Sequence, residues 1–279
     1  MSATEHNKTT FTGARLAFLT MHDKLPLVTP ALAPLGFMLE LATGFDTDQL
    51  GTFSGDIARQ LTPLEAALKK AWLAAELAGC RYGLGSEGSF GGGPMPGLVN
   101  WDQEILALVD RDSGQQIIAS AAGPVGVGAI VVQNEAELRL ALSRDTPGQA
   151  RIVQVSSGQF QKGLTNADEI VSLLREQGWQ DGCMLQLQPD LRAMWCPERQ
   201  QYIGKAAVQL ALQLQQRCPK CQAPDFSMKQ RSHGLPCLVC QTPTSQVQFE
   251  HLRCDCCGYQ QTNEITEQAD PQYCPCCNP

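Results

Sequence analysis

Residues 62–90, TPLEAALKKAWLAAELAGCRYGLGSEGSF, spell a helix followed by a glycine-punctuated strand, and that succession decides the fold class. Thr62 can cap the helix, Pro63 suits its first position, Glu65 completes a capping box and Gly79 supplies the stop. The strand that follows ends near Glu87, a lone carboxylate among glycines. Upstream, RLAFLT (15–20) and FMLELATG (37–44) are short apolar runs bounded by polar residues, as buried strands are. Downstream, EILALVD (104–110) and QQIIASA (115–121) flank the turn RDSG and predict a hairpin. NEAELRLALSR (134–144) and TNADEIVSLLREQG (165–178) carry helix caps, while RIVQV (151–155) and CMLQLQPDLRAM (183–194) read as strands. Pro197 opens a last helix with an apolar stripe. Helices and strands mixed this way, with one clear hairpin, predict an α/β domain with a mixed sheet and flanking helices over residues 11–216.

Gly83, Gly85 and Gly88 form G-x-G-x-x-G, the spacing of a dinucleotide-binding loop. Context excludes that reading, because such a loop follows a first strand and opens a helix, whereas these glycines follow a helix. What remains is a strand-end carboxylate. With Gly85 and Gly88 beside it, an anion can approach the main-chain amides, and Glu87 can hold Mg²⁺ against phosphate oxygens. Asp46 and Asp48 follow the second strand, Lys24 follows the first in MHDK, Lys70 lies in the capped helix and Asp110 ends EILALVD. Carboxylates and lysines at strand ends suit metal-assisted phosphoryl chemistry, with Glu87, Asp48 and Lys24 as catalytic candidates and Asp46 and Lys70 as binding candidates. The plain alternative is a polar turn with solvated lysines. Ser86 or Ser89 would need His22 as base, and no Asp-His-Ser pattern is visible, so triad chemistry is not expected.

The cysteines set a second domain apart. Of 13, ten lie between residues 218 and 277. Four C-x-x-C pairs stand out: Cys218/Cys221, Cys237/Cys240, Cys254/Cys257 and Cys274/Cys277, separated by 15, 13 and 16 residues. Two thiolates on a tight turn cover one side of a metal, and two such pairs complete a tetrahedral site. Eight ligands predict two structural Zn²⁺ ions in a double zinc-ribbon module over 217–279, paired either sequentially or in an interleaved way. Cys256 and Cys276 leave a shifted register open as well.

Composition limits the partners. A net charge of −7 argues against non-specific binding to nucleic acid or anionic membranes, both of which need a basic face. From Arg217 onward the tail has five basic and six acidic residues before any thiolate is counted. The polar start MSATEHNKTT contains no signal-peptide core, and no apolar run approaches the ~18 residues of a membrane span. A cytoplasmic protein is expected, whose partner is a phosphorylated small molecule or another protein. Its oligomeric state is left open.

The segments TMHDK, DTDQLGTFSGDIAR, EAALKKA, GSEGSFG, DLRAMWCPER, CPKC and GLPCLVCQTPT resemble a bacterial family, the domain-of-unknown-function family 6671. The resemblance spans residues 20–244 and implies an α/β domain with a cysteine-rich tail. After SEGSF this chain has GGGP where that family usually carries a histidine-proline segment, which argues against chemistry in the loop itself. More remotely, TMHDK, EAALKKAWLAA and SEGSF are similar in order to segments of the inosine/xanthosine-type nucleoside triphosphate pyrophosphatases. That likeness implies a Mg²⁺-binding role for Glu87 and a pyrophosphatase-like hydrolase activity. The rival expectation is a non-enzymatic adaptor that docks through its zinc tail.

Overall fold

In the computed structural model, residues 11–47, 61–154 and 158–279 are described. The chain divides into two compact units, Met1–Leu210 and Ala211–Pro279.

The first unit opens with a five-stranded sheet. Its strands are β1 (Arg15–Leu19), β2 (Met38–Leu41), β3 (Tyr82–Phe90), β4 (Asn100–Asp110) and β5 (Gln116–Val125). Their order is β2-β1-β3-β4-β5. β1 runs parallel to β2 and β3, and β4 and β5 add antiparallel neighbours, so the sheet is mixed. Helix α1 (Leu25–Leu32) links β1 to β2, and α2 (Pro63–Leu77) precedes β3. The capping box on α2 is complete: Thr62 Oγ1 accepts from the Glu65 amide, and Glu65 accepts from the Thr62 amide.

The opening stretch explains how α2 meets the sheet. Ala67 and Ala71 of α2 pack on Ala107 and Val109 of β4. A Cβ on Gly83 would overlap the carbonyl oxygen of Ala71, and one on Gly85 would overlap that of Ala67. An alanine face on the helix and alternate glycines on the strand therefore bring two backbones together. Because strand side chains alternate, Leu84, Ser86 and Gly88 face the opposite side with Leu106 and Glu104.

A second sheet follows, which the apolar pattern did not separate from the first. β6 (Ile130–Val132), β7 (Arg151–Gln154), β8 (Phe160–Leu164) and β9 (Leu185–Pro189) run in the order β6-β9-β7-β8, all neighbours antiparallel. β8 is exposed over most of its length and lacks an alternating signal. Helices α3 (Glu135–Leu142) and α4 (Ala167–Glu176) cover a core of Leu138, Val153, Ile170, Leu174 and Leu187. Helix α5 (Pro197–Gln215) buries Ile203, Ala206, Ala207, Leu210 and Leu214.

The second unit carries β10 (Ser227–His233), β11 (Val247–Arg253) and β12 (Gln260–Glu264) in one antiparallel sheet. Its buried side chains include Cys218, Cys237, Cys254 and Cys274 alongside only a few apolar ones such as Phe226 and Leu235. Among the described residues, no helix is long and apolar enough to cross a membrane.

Candidate functional site

β1 ends at Leu19, opposite Gly85, while β3 runs on to Phe90. Ser86 and Glu87 are thus the first residues of β3 beyond the carboxyl end of a parallel neighbour, the place where open α/β sheets receive ligands. The loop leaving β1 turns through two left-handed residues, His22 (φ 67°) and Asp23 (φ 55°), and delivers Lys24 to this point. Such conformations are uncommon outside glycine and recur at functional sites. Lys24 Nζ lies 3.1 Å from Ser86 Oγ. From α2, Lys70 Nζ lies 2.5 Å from Glu87 Oε2 and 3.5 Å from the Ser86 carbonyl oxygen. Two polar pairs from three elements therefore flank this point of β3, Lys24–Ser86 on one face and Lys70–Glu87 on the other, all largely removed from solvent.

Beneath them is a buried charge cluster. Glu104 of β4 makes an ion pair with Arg199 at the start of α5, both about 1% exposed. Arg199 also donates to the Leu191 carbonyl at 2.6 Å. Gly88, directly across from Glu104, has no Cβ because Arg199 Nη2 and the Glu104 carboxylate fill that space. Lys24 Nζ is 3.7 Å from Glu104 Oε2. Burial draws the Lys24 ammonium down to about 8, with Arg199 and Lys70 adding to the drop and Glu104 and Glu87 opposing it. Two residues along β4, Asp102 is fully buried, and among the described residues neither of its carboxylate oxygens has a hydrogen-bond partner. Burial pushes its carboxyl up to about 7, and the nearby Glu104 reinforces the shift.

The remaining candidates fall elsewhere. Gly85 was expected to bare main-chain amides to an anion, but its open side is taken by α2; Gly88 admits Arg199 in the same way. Asp110 does not join the site. It pairs with Tyr82 at the start of β3, five residues (~17 Å) from Glu87, and is held by Arg81 at 2.7 and 2.6 Å. Asp46 is exposed on the loop after β2, which leaves the same edge of the sheet as Lys24. Asp48 lies outside the described residues.

In the second unit, the eight candidate cysteines form two tetrads: Cys218, Cys221, Cys254 and Cys257, then Cys237, Cys240, Cys274 and Cys277. The pairing is interleaved, first pair with third and second with fourth. Sulfur–sulfur separations include 3.7 Å for Cys218–Cys257, 3.6 Å for Cys221–Cys254, 3.9 Å for Cys237–Cys277 and 3.4 Å for Cys240–Cys274. A Zn–S bond of ~2.3 Å sets a tetrahedral edge of ~3.8 Å, whereas a disulfide needs ~2.05 Å. Each tetrad can therefore hold a zinc ion. All four pairs share one turn, in which the amide after the second cysteine donates to the carbonyl of the first at 2.9–3.0 Å. Gln222 (φ 62°), Gln241 (φ 60°) and Gly258 (φ 72°) supply the left-handed residue in three of them. Basic side chains of the tail are paired with acidic ones: Lys229 with Asp225 and Asp255, and Arg231 with Glu250.

A family model described as Domain of unknown function (DUF6671) matches residues 70–279. The chain belongs to this family. The matched span takes in Lys70, Ser86, Glu87, Asp102, Glu104, Arg199 and both cysteine tetrads, while Lys24 and Asp46 precede it. No curated protein and no solved structure matches the DUF6671 chain.

Asp102, Glu104 and Arg199 were missed in the sequence, although two of them leave a trace there. Glu104 shares the inward register of Leu106 and Leu108 in EILALVD. Arg199 stands four residues before Ile203 on the stripe that continues through Ala207, Leu210 and Leu214. A charge at an apolar position is the signal in both cases.

Proposed function

We propose that this DUF6671 protein is a Mg²⁺-dependent phosphohydrolase-like enzyme acting on a nucleotide or another phosphorylated small molecule, with two structural zincs in its tail. The observation that carries the reading is the placing of two buried pairs, Lys24–Ser86 and Lys70–Glu87, on either face of β3 where the parallel strands β1 and β3 part. Lysines there neutralise phosphate oxygens, and the remote likeness to nucleoside triphosphate pyrophosphatases points the same way. Lys70 pairs with Glu87 at 2.5 Å, a contact that substrate and cation would exchange. Among the described residues no three carboxylates gather. That donor set fits a cation held largely by substrate phosphates, with Glu87 as one protein ligand and Asp46 or Asp48 as a second. Bound there, Mg²⁺ would polarise a phosphoryl oxygen and offset developing charge. Lys24 and Lys70 would orient the phosphate chain, and burial would exclude bulk water.

A panel of nucleoside triphosphates and sugar phosphates, assayed with and without Mg²⁺, tests the reading by phosphate or pyrophosphate release. Glu87→Gln should lower kcat by ~10²-fold or more, as loss of a transition-state charge contact does. No turnover across the panel, or unchanged turnover in Glu87→Gln, removes the enzyme reading. A non-enzymatic docking role for the tail is then favoured by the exposed pair Leu238 and Val239 on the tip of the second cysteine turn.

A further inference from the structure

We propose that Ser86 and Lys24 form a nucleophile–base pair in which Ser86 Oγ takes a phosphoryl group covalently from the substrate. This rests on the phosphoryl-transfer reading above, adds a step to it and makes Lys24 the base in place of a phosphate contact. The two side chains are 3.1 Å apart and only 2% and 5% exposed. An ammonium has three N–H groups to satisfy. Glu104 Oε2, its ion-pair partner at 3.7 Å, is beyond hydrogen-bond distance and has no hydrogen-bond partner among the described residues. The charged form of Lys24 is therefore poorly served, and the neutral amine can accept the Ser86 O–H along the same 3.1 Å line. The charged groups that bias this balance are Glu104 from β4, Arg199 from α5, Lys70 from α2 and Glu87 from β3; burial outweighs the two carboxylates and brings Lys24 to about 8. Serine–lysine pairs elsewhere do this work without a histidine.

In the step itself, neutral Lys24 takes the Ser86 proton as the Oγ–P bond forms and the P–O bond to the leaving group breaks. The leaving group departs as an anion. Water then attacks phosphorus, the Ser86 Oγ–P bond breaks and Ser86 recovers the proton held by Lys24. Phosphate keeps the water's oxygen and one of its protons, and the other proton goes to the departed anion.

A fluorophosphonate tests the pair without metal or nucleotide, since Oγ attack breaks the P–F bond and leaves a stable adduct. On the full chain, mass spectrometry with peptide mapping should find one adduct, on Ser86. Its rate should rise about tenfold between pH 7 and 9, following an amine that titrates near 8. Ser86→Ala should remain unlabelled. Lys24→Arg keeps the charge and a donor but not the base, and should label at least 100-fold more slowly, whereas a structural role for Lys24 would be rescued by arginine. Should Lys24→Arg fail to fold, the mapped wild-type adduct and its pH profile still decide. No adduct on Ser86, or wild-type labelling of Lys24→Arg, overturns the proposal. Nucleotide turnover that survives Ser86→Ala also overturns it while sparing the hydrolase reading. Labelling of Ser86 without turnover on any nucleotide supports the pair and removes the nucleotide.

Discussion

Asp102 gives the sharpest test of how the buried charges are balanced. It is fully buried, its carboxylate oxygens lack hydrogen-bond partners among the described residues, and its carboxyl sits at about 7 against ~3.9 in an unfolded chain. The folded protein thus holds a proton that the unfolded chain releases between about pH 4 and pH 7. A raised folded value means that this group favours folding most below pH ~4, and that the advantage drains away as pH rises through 7. Three pH units at 1.36 kcal/mol each make the loss about 4 kcal/mol by pH 8, an upper bound because water entry and relaxation soften such shifts. Asp102→Asn cannot ionise. Its stability relative to wild type should climb between pH 5 and pH 8 by up to about 2.5 kcal/mol, the rest of the loss falling below pH 5, from a starting deficit of roughly 1–3 kcal/mol if the amide stays unpaired. Urea unfolding followed by tryptophan fluorescence at half-unit pH steps reads this directly. A wild-type-minus-mutant difference that stays flat from pH 5 to pH 8 would refute the reasoning, whatever its size.

Further outcomes follow from the same geometry. Gly85→Ala drives a methyl into the Ala67 carbonyl and should cost about 3 kcal/mol or more, measured as a lower urea midpoint with an unchanged slope. Thr62→Ala removes one half of the α2 capping box and should cost about 1 kcal/mol in the same assay. Elemental analysis should find about two zincs per chain. The interleaved tetrads further require that Cys218→Ser/Cys254→Ser retain one zinc and Cys218→Ser/Cys237→Ser retain none; sequential pairing would reverse those counts.

Much of the architecture was legible in order along the chain. The helix at 63–77, the hairpin across 111–114 and the long last helix from Pro197 all carry local chemistry: a capping box, turn residues, a proline at the first helical position. β6 and β8 were not legible, because one has three residues and the other is solvated along most of its length. At the candidate site, Lys24, Lys70 and Glu87 stood out as charged residues near strand ends or glycines. Ser86 was weighed only as a triad nucleophile and set aside for want of a histidine base, since a lysine partner from another element leaves no pattern beside it in the sequence. The glycines of GLGSEG were open to misreading for a related reason. A glycine that exposes backbone and one that admits a helix look alike until the helix is in place.

By itself the sequence determined that eight thiols come in four evenly spaced turns, because two cysteines three positions apart fold back locally with no help from the rest of the chain. Only the tertiary structure decided which turns share a metal. β10 begins just after the first turn and β11 ends just before the third, and their antiparallel register sets Ser227 against Arg253. That ladder closes the first tetrad across more than thirty residues of chain, with Cys221 and Cys254 sulfurs 3.6 Å apart. The buried cluster of Asp102, Glu104, Arg199 and Lys24 belongs to the same class of fact. Its members come from a loop, a strand and a helix, and the balance among them exists only once burial has removed water and left each charge to the others.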